Sequence, residues 1–313
     1  MNYRGERMNF FDLHCDTIGE CCKNKTSLRK NNLHISLEKA KKIENYTQVF
    51  AIWIPDELRK EKAVSYFDKT CDYYKSELFK NRDIITSYNT SKNDEKRIKS
   101  ILAVEGGAAL GGTIDGLYHL YDRGVRILTL TWNAPNEIAS GAFSDGGLTE
   151  FGKEVIKKCE KLKMVIDVSH LNRQSFFDVA ENTEKPFIAS HSNPNIVSTN
   201  SGRKRNLTDE QIEIIKNRGG LIGINFYKDF LDVENKSGVD ALKVHLDYLL
   251  ERGCESVIAF GGDFDGCDLT ESISGIESIE GIYNSLLKSG YNEELVNNLF
   301  YNNADLFFKK MIQ

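Results

Sequence analysis

Residues 164–191 read MVIDVSHLNRQSFFDVAENTEKPFIASH, and this stretch carries the pattern that decides the fold. Two short apolar runs, Met164–His170 and Phe187–His191, flank the amphipathic segment Arg173–Asn182. Short runs rich in Val and Ile favour buried strands, and the amphipathic segment favours a helix. The stretch therefore predicts two parallel strands joined by a helical crossover.

The same alternation of strand and helix patterns runs through the whole chain. Eight strand candidates can be identified: Asn9–Asp12, Gln48–Trp53, Ser100–Glu105, Arg126–Thr131, Met164–His170, Phe187–His191, Leu221–Phe226 and Val257–Gly261. Helical patterns lie between most of them: Glu61–Phe79, Thr113–Arg123, Thr149–Leu162, Arg173–Asn182, Asp209–Asn217 and Val239–Arg252. Eight strands with helical crossovers predict an α/β fold, a (β/α)8 TIM barrel. The alternative is an open, doubly wound sheet, which often has a Gly-rich turn after its first strand. Here that strand is followed by Leu13-His14-Cys15-Asp16.

No linker or shift in composition divides the chain, so residues 1–313 are predicted to form one domain. Near the C-terminus, Glu293–Tyr301 and Ala304–Ile312 have helical patterns. These two helices either cap the barrel or form a subunit contact.

Composition excludes several classes of protein. The 41 basic and 46 acidic residues give a net charge of −5 without a long basic run, so no nucleic-acid partner is expected. There is no apolar stretch of about 18 residues, and the first residues lack the apolar run of a signal peptide, so no membrane association is expected. The seven cysteines are odd in number and include no CxxC pair, which argues against a disulfide scaffold. We predict a cytoplasmic protein with reduced thiols.

Imidazoles and carboxylates recur at the predicted ends of strands. His14 and Asp16 follow the first strand, where side chains at i and i+2 of extended backbone point the same way. Glu105 ends an apolar run, where an unpaired carboxylate would be costly. His170 and His191 each end one of two successive strands in a Ser-His pair. Because the C-terminal ends of barrel strands meet at one mouth, we expect these five side chains to converge.

Three imidazoles and two carboxylates suit zinc better than magnesium or calcium. A carboxylate that bridges two zinc ions would balance the ligand count. His14, Asp16 and Glu105 would then bind one ion, and Glu105, His170 and His191 the other.

Two further groups are candidates for the chemistry. Asp263, after the eighth strand, is either a ligand or a base near a metal-bound water, whereas Asp265-Gly266 suits a turn. In Arg203-Lys204-Arg205, a guanidinium either holds a substrate carboxylate or lies in a solvated basic loop. His34, His119 and His245 are not assigned to the site.

These motifs together resemble the membrane (renal) dipeptidase family. The resemblance spans residues 12–266 and rests on Asp12-Leu13-His14-Cys15-Asp16, Val104-Glu105-Gly106-Gly107, Leu128-Thr129-Leu130-Thr131, Asp167-Val168-Ser169-His170, Ser190-His191-Ser192, Arg205-Asn206 and Gly262-Asp263-Phe264-Asp265-Gly266.

The resemblance implies a metal-dependent hydrolase barrel of the amidohydrolase type with two zinc ions per chain. His14 and Asp16 would bind the first ion, Glu105 would bridge, and His170 and His191 would bind the second. It implies that Arg205 anchors the substrate's terminal carboxylate, and that Asp263 contacts its amino group and assists proton transfer. It also raises the possibility of a homodimer.

One position departs from the family. Characterised animal members carry a substrate-contacting His where this chain has Trp132. They are also exported and lipid-anchored, and we expect neither signal in this chain. We expect Trp132 to contact the substrate. Because a Trp removes a donor that could polarise the scissile carbonyl, we expect it to alter either the rate or the substrate range.

The predicted function is a zinc-dependent dipeptidase that cleaves the peptide bond of dipeptides through a metal-bridging hydroxide. One alternative is a related binuclear metal hydrolase that acts on another amide, a lactone or a phosphoester. A second alternative is a binding protein that keeps the fold without catalysis.

Overall fold

Eight strands form a closed barrel in the computed structural model, which describes residues 8–88 and 97–312. The sheet has nine strands, of which eight form the ring and the ninth, β3, pairs only with β4. They are β1 Phe10–Cys15, β2 Tyr46–Trp53, β3 Ile85–Ser87, β4 Ile98–Glu105, β5 Val125–Thr129, β6 Val165–Asp167, β7 Ile188–Ala189, β8 Leu221–Ile224 and β9 Ile258–Phe260. All pair in parallel, in the ring order β1-β2-β4-β5-β6-β7-β8-β9, and β9 pairs again with β1. The predicted (β/α)8 barrel is confirmed, and the open sheet is wrong.

Helices connect the strands and continue past the last one. They are α1 Thr17–Asn24, α2 Lys60–Lys80, α3 Ile114–Asp122, α4 Glu150–Leu162, α5 Arg173–Asn182, α6 Asn200–Arg205, α7 Asp209–Asn217, α8 Lys228–Leu231, α9 Gly238–Leu250, α10 Ile279–Lys288, α11 Glu293–Asn297 and α12 Asn303–Ile312. Shorter 3-10 turns cover Lys39–Lys42, Gly107–Leu110 and Ile276–Ser278, and a π-helical turn at Asn298–Asn302 joins α11 to α12.

Strand β3 was not predicted. It pairs with the first residues of β4, up to Ser100, whereas β5 pairs with β4 only from Leu102 onward. The strand therefore lies beside the lower part of β4 and outside the ring. Three residues are too few to show the alternation that marks a strand in a sequence.

Several predicted strand ends differ from those observed. Met164–His170 was predicted as one strand, but β6 ends at Asp167. Strand β7 likewise stops at Ala189, before the predicted end at His191. The reason is that Val168 and Ser190 stay buried in the loops at the mouth, so burial continues after pairing ends.

The barrel interior is filled by residues from all eight ring strands. This cluster comprises Phe11, Leu13, Val49, Ala51, Ile101, Ala103, Ile127, Val165, Ile188, Leu221 and Ala259. Helix α12 adds Ala304, Phe307, Phe308 and Ile312 to the same cluster, and the Phe308 ring stacks on Phe11 with centroids 5.2 Å apart. The C-terminal helix therefore caps the N-terminal end of the barrel, the first of the two roles left open above.

All seven cysteines are free thiols, as predicted. Within residues 8–88 and 97–312, no helix combines the length and apolar character that crossing a membrane requires.

Candidate metal centre

The five predicted ligands come together at the C-terminal mouth of the barrel. Nε2 of His14 lies 3.5 Å from Oδ2 of Asp16 and 3.7 Å from Oε2 of Glu105. Nε2 of His170 and of His191 lie 2.7 and 3.5 Å from Oε1 of Glu105. All but Asp16 are buried, and Asp16 is largely so.

The route by which His14 and Asp16 reach one point differs from the prediction. Strand β1 has an extra residue between Asp12 and Cys15 relative to β2, and such a bulge re-aims a side chain. Asp16 is not extended, since its φ and ψ are −99° and 6° at the N-cap of α1. The argument from extended backbone was therefore wrong, although its conclusion that the two side chains meet is correct.

Glu105 lies between two groups of side chains. Its Oε1 faces the Nε2 atoms of His170 and His191, which are 2.8 Å from each other. Its Oε2 faces Nε2 of His14. A single carboxylate that presents each oxygen to a different set of imidazoles has the arrangement of a bridging ligand.

The rings of His170 and His191 are oriented by hydrogen bonds at Nδ1. Nδ1 of His170 donates to Oδ1 of Asn133 at 3.0 Å, and Nδ1 of His191 lies 2.7 Å from Oγ of Ser190. Burial lowers the pKa of both rings well below the usual range, and Arg205 and His14 add to this shift. Both imidazoles are therefore neutral, and their two Nε2 atoms converge on Oε1 of Glu105. Such an arrangement fits a bound cation.

The half of the site around His14 is rich in carboxylates. Burial lowers the pKa of His14, but Glu105, Asp16 and Asp263 outweigh that effect and raise it to about 10. Among the described residues, Nε2 of His14 has no hydrogen-bond partner. The carboxylates thus draw positive charge to this nitrogen, either as a proton or as a metal ion.

Asp263 lies at the edge of the same cluster. Its Oδ1 is 3.9 Å from Nε2 of His14, and its Oδ2 accepts a hydrogen bond from Nδ2 of Asn225 at 3.0 Å. Burial raises its pKa, against the opposing effect of His14. Asp265 instead accepts hydrogen bonds from the Thr17 hydroxyl and the His34 backbone N–H, and Asp265-Gly266 forms the predicted turn.

Arg205 is buried at the end of helix α6, with 4% of its surface exposed. The alternative of a solvated basic loop is wrong for this residue. Its guanidinium stacks over Phe230, with 5.2 Å from Cζ to the ring centroid. Its Nε and Nη2 have no hydrogen-bond partner within the described parts of the chain. Burial lowers its pKa to about 10, although Asp263 and Glu105 oppose that shift.

Trp132 lies beside the cluster, with its ring centroid 6.3 Å from that of His170. It packs edge-on against Trp53, the last residue of β2, at 5.0 Å. Because β2, β4 and β5 are neighbours in the barrel, the two indoles lie on either side of the strand that carries Glu105. They form an aromatic wall on one side of the mouth.

The remaining histidines have other partners. His34 accepts from the Asp265 backbone N–H, His119 contacts Asp68 at 2.8 Å, and Nε2 of His245 donates to the Leu231 carbonyl.

Sequence reasoning missed four residues of the site: Trp53, Asn133, Asp167 and Asn225. Asn133 directly follows Trp132, and Asp167 lies in the quoted Asp-Val-Ser-His motif. For Asn133 and Asp167, closeness in sequence to Trp132 and His170 was a signal that could have identified them. Trp53 and Asn225 had no such signal.

Comparison with known proteins identifies the family of the chain. The model of the membrane dipeptidases, peptidase family M19, matches residues 5–311. An uncharacterised protein from the pqqA 5′ region of Klebsiella pneumoniae is 32% identical over 222 residues, which cover 67% of this chain and 81% of that protein.

Solved structures show the same architecture. The dipeptidase AC, a metallopeptidase of family M19, superimposes with a TM-score of 0.89 at 25% identity, over 98% of this chain and 99% of the other. A metallopeptidase from Rhodobacter sphaeroides, solved with a phosphinate mimic of the dipeptide L-Ala-D-Ala, has a TM-score of 0.89 at 24% identity. That alignment covers 98% of this chain and 100% of the Rhodobacter chain.

Proposed function

Because the chain belongs to the membrane dipeptidase family, peptidase family M19, it is a peptide-bond hydrolase, and we propose that it is a dipeptidase with two zinc ions. The observation that carries the proposal is the position of Glu105, whose two oxygens face two separate sets of imidazoles. Family M19 is a family of metallopeptidases, which implies a metal cofactor. The three imidazoles and two carboxylates of the site suit a metal ion.

We assign His14 and Asp16 to one zinc ion and His170 and His191 to the other, with Glu105 shared between them. Nitrogen and carboxylate oxygen are ligands that zinc favours. The bound ions would supply the Lewis acidity that activates water and polarises the scissile carbonyl. Asp263 can take a proton from the attacking water and give it to the leaving amine, since burial raises its pKa.

Arg205 and Asp263 would hold the two ends of the substrate. Nε and Nη2 of Arg205, which have no hydrogen-bond partner among residues 8–88 and 97–312, suit the terminal carboxylate. The Asp263 carboxylate suits the amino group. A site that holds both ends of its substrate favours dipeptides over longer peptides. The dipeptide mimic bound by the Rhodobacter sphaeroides relative supports this substrate class.

Trp132 and Trp53 would contact a substrate side chain. The aromatic wall is apolar, and a family His at the position of Trp132 would be polar. We therefore propose that this chain prefers dipeptides with an apolar residue.

The proposal is tested by metal analysis and a substrate panel. Protein freed of metal with a chelator and reloaded is expected to bind two zinc ions per chain. The reloaded protein should cleave dipeptides and leave tripeptides intact. Activity only on lactones, cyclic amides or phosphoesters would favour the related hydrolase. Folded, zinc-loaded protein that is inert on every substrate would favour a non-catalytic protein.

Replacement of Arg205 by Met is expected to raise KM for dipeptides by about 10- to 100-fold, because hydrogen bonds to a charged group are lost. Met retains bulk against Phe230. The same variant should have little effect on a dipeptide amide, which has no terminal carboxylate. Steady-state kinetics on both substrates measure the difference.

Lys204→Met is the matched control for Arg205. Lys204 is the exposed neighbouring cation on the same helix and lies over Phe143. Its loss should leave KM unchanged. An equal loss of dipeptide and dipeptide-amide hydrolysis in the Arg205 variant would remove the proposed carboxylate contact.

A further inference from the structure

A fully buried carboxylate, Asp167, lies behind the candidate metal centre at the end of β6. It accepts four hydrogen bonds. Oδ1 accepts from the backbone N–H groups of Ser169 and Ser190, at 3.0 and 2.9 Å. Oδ2 accepts from the hydroxyls of Thr129 and Ser190, both at 2.6 Å.

These bonds determine which atom donates in the hydrogen bond between Ser190 and His191. Because the Ser190 hydroxyl gives its hydrogen to Asp167, its oxygen has only lone pairs to offer Nδ1 of His191, 2.7 Å away. Nδ1 of His191 must then carry the ring proton. Nε2 is left with a lone pair toward Glu105.

We propose that Asp167 is a positioning residue that sets the tautomer of His191 through Ser190, so that Nε2 is available to a metal ion. This inference rests on the proposed metal function. It also gives a reason for a serine before His191: the Ser190 hydroxyl holds the ring. The serine before His170 has a different task, since Oγ of Ser169 accepts the His191 backbone N–H at 3.1 Å.

Asp167→Asn is the sharpest test because it keeps the shape of the side chain and reverses the direction of its hydrogen bond with the Ser190 hydroxyl. The two backbone N–H groups cannot rotate, so the amide oxygen must remain with them. The amide NH2 then faces the Thr129 and Ser190 hydroxyls and donates to them. Ser190 is left to donate to Nδ1 of His191, which moves the ring proton to Nε2. That proton finds acceptors in Glu105 and in Nε2 of His170, so the wrong tautomer is stable.

Two serine variants at the same depth separate positioning from packing. Ser190→Ala removes the acceptor at Nδ1 and lets the ring proton move to Nε2, toward Glu105. Ser169→Ala removes a hydroxyl of equal size that contacts only the backbone of His191 and other serines. The first variant should shift the tautomer, and the second should not.

Nitrogen NMR of metal-free protein with 15N-labelled histidine reports the tautomer directly. One of the six histidine rings should change from the Nδ1–H to the Nε2–H form in Asp167→Asn, and partly in Ser190→Ala. Ser169→Ala should match the wild-type spectrum. If Asp167→Asn does not fold, the comparison of Ser190→Ala with Ser169→Ala still shows whether Ser190 sets the tautomer of His191.

Zinc affinity, measured by competition with a chromogenic chelator, gives the second readout. We expect Asp167→Asn to weaken zinc binding by about 10- to 100-fold, as is typical for partners of metal-binding histidines. Ser190→Ala should have a smaller effect, and Ser169→Ala almost none. An unchanged tautomer in both Asp167→Asn and Ser190→Ala, or equal effects of the two serine variants, would overturn the inference. Wild-type protein that shows the Nδ1–H form at His191 but binds no zinc would overturn the proposed function alone.

Discussion

Replacement of Glu105 by Gln is expected to lower kcat/KM for dipeptides by at least about 1000-fold, because several kcal/mol of metal-ion stabilisation would be lost. Glu105 lies between His14 on one side and the His170–His191 pair on the other. Gln keeps the size but offers one oxygen and no charge. The variant should therefore retain fewer than two zinc ions per chain, as measured by elemental analysis after dialysis.

Glu77→Gln provides the matched control for this experiment. Glu77 is also a buried carboxylate, but it lies on α2, where it accepts from the Leu28 backbone N–H and contacts Lys80. Its replacement should leave the zinc content of folded protein unchanged. If Glu105→Gln kept two zinc ions and near wild-type kinetics, the shared-ligand role of Glu105 would be wrong.

The barrel could be predicted because its strands are buried on both faces. Such strands appear as apolar runs in the sequence, and one of the eight predicted runs overlaps each of the eight ring strands. The ends of the strands could not be predicted exactly, because burial and pairing end at different residues. In β6, pairing stops at Asp167 while Val168, Ser169 and His170 stay buried.

The ligand cluster could be predicted for a related reason. In a barrel, every strand delivers its last residues to the same mouth, so polar residues at strand ends converge whatever lies between them in sequence. This rule located His14, Glu105, His170 and His191 without knowledge of side-chain geometry. It could not reveal the bulge in β1, because a bulge depends on the register between β1 and β2.

Residues that support the ligands were harder to recognise. Asn133 and Asp167 act through hydrogen bonds to a ring nitrogen or to the serine beside it, and no spacing in a sequence records such bonds. The burial of Arg205 was also hidden, since three consecutive basic residues are typical of a solvated loop. Helix α6 exposes Arg203 and Lys204 and turns Arg205 inward. A cytoplasmic location and a homodimer stay predictions.

The proposed proton carrier gives the second large effect. Asp263→Asn is expected to lower kcat by about 100- to 10,000-fold, the usual contribution of a general acid–base group, because Asn cannot take or give the proton. The substitution should not disturb the backbone. Asp263 has a φ of 56°, and Asn is among the few residues that readily adopt this left-handed conformation.

Zinc content and KM separate proton transfer from other roles of Asp263. Because Asp263 is 3.9 Å from His14 and outside the assigned ligands, the Asn variant should keep both zinc ions. Asp265→Asn is the control from the same loop, also with positive φ, and its kcat should stay within about threefold of wild type because it bonds to Thr17 and His34 instead. Loss of one zinc ion in Asp263→Asn would make Asp263 a ligand, the alternative that its place after the eighth strand left open. A normal kcat with two zinc ions bound would mean that a group other than Asp263 transfers the proton.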